Sequence, residues 1–216
     1  MHQRHLLGTD GLGRYIFSRL IYGAPATVCA SLLAVSVAAA VGLMAGFFVG
    51  WIDDIMSRAI DTFLSFPAIV LAIAVTGTSG IGLTNGMIAV GIVMFPALAR
   101  IVPQELHVDA SRCFGAPAWH IPWKHVLPNS LQPSIVQVTL LLAAALLAEA
   151  SLSFLGLGIQ PPNPSWGAML ARAYQYMEIA PEQNYAPGPA ILLVSLAFDA
   201  LGKSLRIVLD PTMRHR

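Results

Sequence analysis

From Ala26 to Trp51 the chain carries no charged side chain, and the same holds from Thr62 to Ala99 and from Val126 to Ala148. A helix needs about 20 apolar residues to cross the hydrocarbon of a bilayer. Inside that layer only helices or closed barrels satisfy every backbone N–H and C=O. The second run is too long for one crossing. "TGTSGIGLTNG" (76–86) divides it, because glycine, threonine and Asn85 favour a turn. A further run from Ala186 to Leu201 and a little beyond completes the set. The expected fold is therefore all-α and polytopic, with five spans at about 26–51, 62–78, 85–103, 131–154 and 187–208 in a transmembrane domain covering 26–210. Residues 1–25 form an interfacial segment, 104–130 and 155–186 the long connections, and 211–216 a tail. Composition agrees: 11% of the 216 residues are charged, against about 25% in soluble domains, and the mean hydropathy is +0.69.

Five crossings place the termini on opposite sides. One side then holds Arg58, Arg100, Arg112, Lys124, Lys203, Arg206, Arg214 and Arg216, and the other Arg4, Arg14, Arg19 and Arg172. The richer side is expected to be cytoplasmic, with segment 104–130 and the C-terminus on it. The three arginines ahead of the first span sit badly with this orientation, and a further span upstream of them would remove the conflict.

The composition also excludes. A net charge of +1 offers no basic stripe for nucleic acid. Cys29 and Cys113 lie far apart and suggest neither a disulfide framework nor a zinc site. His107, His120 and His125 lack metal-ligand spacing. Neither a phosphate-binding loop nor a nucleophile elbow is present, so Ser111, Ser151 and Ser153 carry no catalytic motif. Residues 1–25 have scattered charges and do not read as a signal peptide. The chain is expected to be no enzyme and to need no cofactor.

Between the apolar runs lies the polar segment "VDASRCFGAPAWHIPWKHVLPN" (108–129). Its first part reads as a short helix closed by Gly115. Trp119 and Trp123, four apart, share one face of a helical turn. Pro128 suits the first turn of the next span. On the residues alone two readings stand: an interfacial loop anchored by its tryptophans, or a helix that docks into a groove of a soluble partner.

Here the pattern resembles a known one. Asp109, Ala110, Ser111 and Gly115, followed by His125, Leu127 and Pro128, are similar to the acid-Ala-Ala…Gly…Leu-Pro loop of bacterial ABC importer permeases. Asp109 replaces the usual Glu, Ser111 the second Ala, and His125 an apolar residue. "HLLGTDGLGRYIFSRLIYGA" (5–24), "EASLSFLGLGIQPPNPSWGAML" (149–170) and "LDPTMR" (209–214) extend the likeness over nearly the whole chain. The chain resembles the second permease subunit of dipeptide, oligopeptide and nickel importers, a type I importer permease of the bacterial inner membrane.

The resemblance implies a heterodimer with a second permease subunit, two ATP-binding cassette ATPases below it, an extracytoplasmic substrate-binding protein and a peptide substrate. Asp109, Ala110, Ser111, Gly115, Trp119, His125, Leu127 and Pro128 would form the cytoplasmic coupling segment that the ATPases move. A nickel or metal-chelate importer is the alternative substrate class. The family has six spans where five are legible here, and its "GTDGLGR" stretch follows a first span; a shortened, non-transporting copy is the remaining alternative. Tyr15 stands where the family has Asp, the run between Arg100 and Asp109 is short, and Asp199 and Lys203 replace the usual Asn and Asp.

Two acids have open roles. Glu149, at the end of the fourth span, reads either as a pathway acid or as an interfacial acid bonded to nearby backbone. Asp199, in the fifth, either lines the pathway or pairs with Lys203 or Arg206. Loop 156–186 reads as an outer lobe or a Pro-rich connector, and Pro67 and Pro96 as sites of helix kinks.

Overall fold

The computed structural model describes residues 7–11, 13–46, 51–101, 127–160 and 162–209. Among these the regular elements are helical: α1 (Ile16–Gly46), α2 (Trp51–Leu64), α3 (Ala68–Ser79), α4 (Leu83–Ala99), α5 (Leu127–Phe154), α6 (Trp166–Gln175), a 3-10 turn (Pro181–Tyr185) and α7 (Pro187–Leu209).

The first helix starts ten residues before the predicted boundary at 26 and runs through Pro25 without ending. The uncharged stretch continues back from Ala26 to Leu20, and the helix follows it and passes Arg19, whose Nε lies 3.8 Å from Asp10 Oδ2. The predicted span 62–78 is not one continuous helix. It straddles α2 and α3, which meet at a 99° bend over Ser65–Pro67. Pro67 has no N–H to donate and disfavours helical backbone at the residue before it.

The turn expected within 76–86 is present, at Gly80–Gly82. Gly80 has φ +96°, which suits a residue without Cβ. Asn85 closes the turn by donating to the carbonyls of Ser79 at 2.8 Å and Gly80 at 3.2 Å.

Two helices, Ile16–Ala45 and Pro133–Phe154, are long and apolar enough to cross a membrane, and the bent pair of α2 and α3 gives a third candidate. At 17 residues α4 is shorter but equally apolar. α7 has the length, yet carries Asp199, Lys203 and Arg206.

The core of the bundle is a close crossing of α1 and α4. A Cβ on Gly91 would stand 2.6 Å from the Ala34 carbonyl oxygen, and one on Gly42 would stand 2.8 Å from the Phe95 carbonyl oxygen. Ala30, Ala34 and Ala38 present the complementary small face, all buried. Between apolar helices in lipid, small residues of this kind let backbones approach until dispersion contacts hold them. α5 packs on α1 and α4, and α7 lies on α5, where Gly202 fits against Leu140.

At the far end of α4, Phe95 meets Phe63 of α2 edge to face at 5.6 Å, and Arg100 bonds Asp61. This ties the amphipathic α2 across the end of the bundle from which the chain enters 102–126.

Candidate functional site

The predicted coupling residues Asp109, Ala110, Ser111, Gly115, Trp119 and His125 lie outside the described residues. Leu127 and Pro128 occupy the first turn of α5, where the sequence places a proline most comfortably. What the structure does assemble is the opposite end of the bundle, where the 5–24 and 149–170 stretches meet.

Glu149 sits there, fully buried. One turn further along α5, Ser153 donates to its Oε1 at 2.7 Å, while Oε2 has no hydrogen-bond partner among the described residues. The hydroxyls of Thr27, on α1, and Ser165, just before α6, border the same carboxylate. The fold thus gives Glu149 a place between three elements rather than at an interface with water.

The same few residues close the junction. Thr27 accepts a hydrogen bond from the Trp166 backbone N–H at 3.2 Å, and the Trp166 indole donates to the Leu20 carbonyl at 2.9 Å. Ser165 caps α6 by accepting from the Ala168 N–H at 3.2 Å, satisfying one of the first-turn donors. Glycine makes the approach possible. A Cβ on Gly167 would lie 2.6 Å from the Ala150 carbonyl oxygen, and one on Gly158 would overlap the Ser153 hydroxyl. Ile16, Leu146, Ala150, Trp166, Met169 and Ile191 fill the apolar space beneath.

Asp199 is not in this cluster. It accepts from Lys203 at 2.6 Å, one turn along α7, with both side chains more than a third exposed. Of the two pairings open to it, the structure makes the one with Lys203.

The N-terminal stretch adds a second knot. Thr9 pairs with Tyr15, and Asp10 accepts from the Arg14 backbone N–H and from its Nε, both at 2.9 Å. A Cβ on Gly11 would stand 3.1 Å from the Tyr176 ring. Asp10, Arg19 and Arg172 line one cleft. Sequence reading singled out neither Thr27 nor this cluster. The signal available was that both quoted stretches carry small and polar residues among apolar ones; which of them meet depends on helix phase and on the path of loop 155–165.

A chain with these motifs, brought together on a bundle of this shape, has close relatives. The family described as "binding-protein-dependent transport system inner membrane component" matches residues 38–215. This chain belongs to that family. It is 42% identical over 221 residues to the glutathione transport system permease protein GsiD of Pectobacterium atrosepticum, covering 97% of this chain and 73% of that protein. The dipeptide transport system permease protein DppC of Alkalihalophilus pseudofirmus gives the same identity and coverage. Among solved structures, the inward-facing MetNI methionine ABC transporter superposes with a TM-score of 0.72 at 19% identity, covering 90% of this chain and 97% of that one. An amino acid ABC transporter with histidines superposes at 0.67 and 18% identity, covering 88% and 94%. The fold is that of an ABC importer permease. The chain is a transport permease and an inner membrane component, and the EAA-like loop and three flanking motifs read from its sequence point to the same family.

Proposed function

We propose that this permease forms half of the pathway of an ATP-driven peptide importer. The observation that carries the reading is the 42% identity, over 97% of the chain, to permeases named for dipeptide and glutathione transport. Both solutes contain peptide bonds and carboxylates, so short peptides are the substrate class. A second permease subunit completes the pathway, a substrate-binding protein delivers the peptide, and two separate ATPases hydrolyse ATP. The absence of any phosphate-binding loop motif in this sequence supports that division of labour. The five-span arrangement with 104–130 and the C-terminus on the cytoplasmic side is supported by the bias of Arg and Lys.

In this reading segment 104–130 is the coupling element. Asp109, Ala110, Ser111, Gly115 and Trp119 meet a cleft of the ATPase, and His125, Leu127 and Pro128 lead back into α5. ATPase closure then biases a two-state arrangement of the bundle. α5 is the natural lever, because it runs unbroken from Leu127 to the Glu149 junction at the other end. Glu149 serves that junction as a packing residue, and Asp199 with Lys203 stays on the exposed face of α7.

The test is uptake in proteoliposomes holding the chain with its genomic-neighbour permease, ATPases and binding protein. ATP-dependent accumulation of a labelled dipeptide or of glutathione is expected. Accumulation of a nickel chelate and of neither peptide would overturn the substrate assignment.

A further inference from the structure

At the end of the bundle holding residues 7–15, three guanidinium groups face one carboxylate. Asp10 bonds Arg14, and its Oδ2 lies 3.8 Å from the Arg19 Nε. Arg172, reaching from α6, lines the same cleft as Asp10 and Arg19, and its charge acts on Arg19 together with that of Arg14. Among the described residues the positive charge there exceeds the negative. More telling, Arg14 Nη2, Arg19 Nη2 and Arg172 Nη1 are buried atoms with no hydrogen-bond partner among the described residues. Buried guanidinium N–H groups left unbonded are costly, and like charges packed together raise that cost. The guanidinium fork is shaped to bind the oxygens of a planar or tetrahedral oxyanion. Beside these atoms the cleft is lined by Ile16, Met169, Ala173 and Gln183. It has room for about one small group, so it fits the head of an anion rather than a whole peptide.

We propose that the cleft between Asp10, Arg19 and Arg172 binds a single oxyanion, a phosphate or carboxylate group, which completes the arginine cluster and pins the N-terminal turn to α6. The source is either a free anion or a lipid headgroup, since α1 begins at Ile16 beside the cleft. The site is independent of which solute the permease carries.

The chain is purified in neutral detergent with the subunits that co-purify, and its Tm is followed while inorganic phosphate replaces chloride at constant ionic strength. A saturable rise of about 2–4 °C is expected, the size produced by about 1 kcal/mol of linked binding in a chain of this length. Arg172→Gln is expected to purify normally and to lose the rise. Should Arg172→Gln not assemble, Arg19→Gln, at the other arginine lining the cleft, replaces it with the same expectation. In a parallel arm, nanodiscs of phosphatidylcholine are compared with nanodiscs containing phosphatidylglycerol. A rise with phosphatidylglycerol but not with free phosphate, lost in the variant, supports the site and assigns the lipid headgroup. A rise with neither probe, or one equal in wild type and variant, overturns the proposal.

Discussion

Trp166 donates its indole N–H to the carbonyl of Leu20 at 2.9 Å, across 146 positions of chain. The bond joins two sequence stretches that lie far apart along the chain. Trp166→Phe keeps most of the buried ring and removes only the donor. It is expected to cost about 1 kcal/mol, the net value of a typical hydrogen bond. Trp166→Ala also removes the ring from the buried cluster it shares with Ile16 and Ile191 and is expected to cost about 3–5 kcal/mol. Thermal unfolding of the purified permease ranks the two, and equal losses would show that the bond, not the ring, holds the junction.

The α1–α4 crossing gives the sharpest steric prediction. Gly91→Val places carbon where the Ala34 carbonyl and the Val37 side chain already stand. Overpacking of this kind costs about 1–3 kcal/mol, and more where backbone is the obstacle. Gly77→Ala, in α3, meets nothing within 4 Å and is expected to be tolerated. Expression and Tm of the two variants should separate clearly; a stable Gly91→Val protein would mean that the helices do not approach this closely.

Ser153→Ala removes the hydroxyl that donates to Glu149 while keeping its Cβ against Gly158 and Gly167. The buried carboxyl then loses its 2.7 Å partner, a change worth about 1–3 kcal/mol. Ser153→Thr, which retains a hydroxyl but adds a methyl at a contact already tight, is not expected to rescue it. Limited proteolysis in loop 155–165 should report the loosening first.

Lys203→Ala is expected to change stability by less than about 1 kcal/mol. Its bond to Asp199 is an exposed pair one helical turn apart, and such pairs contribute little. A loss of transport without loss of Tm would instead assign Asp199 and Lys203 to the pathway.

Gly115→Trp addresses the proposed coupling segment. If Gly115 takes the turn proposed for it, filling that turn is expected to weaken association with the ATPase ~10-fold or more, the scale of losing one interface anchor. Membrane insertion is expected to be unchanged. Co-purification and substrate-stimulated ATP hydrolysis both equal to wild type would remove Gly115 from the interface.

Much was legible before any coordinates. The uncharged runs dictated helices, because the bilayer interior leaves no other way to satisfy the backbone. The glycines and Asn85 of 76–86 announced a turn, since they relieve φ strain or bond the open carbonyls themselves. Asp199 and Lys203, four apart, carried their pairing in their spacing. These are properties of neighbours along the chain, and local order is enough to read them.

Tertiary structure decided the rest. The first span was expected to begin at Ala26, but the helix reaches back to Ile16, taking in Arg19, which packs 3.8 Å from Asp10. Glu149 looked like an end-of-span acid; it is a fully buried one, since Thr27 and Ser165 close over it from distant parts of the chain. Gly42, Gly91 and Gly167 are ordinary residues in the sequence and obligatory contacts in the fold. No local pattern records which helix faces meet, because that choice depends on the summed packing of elements many turns apart.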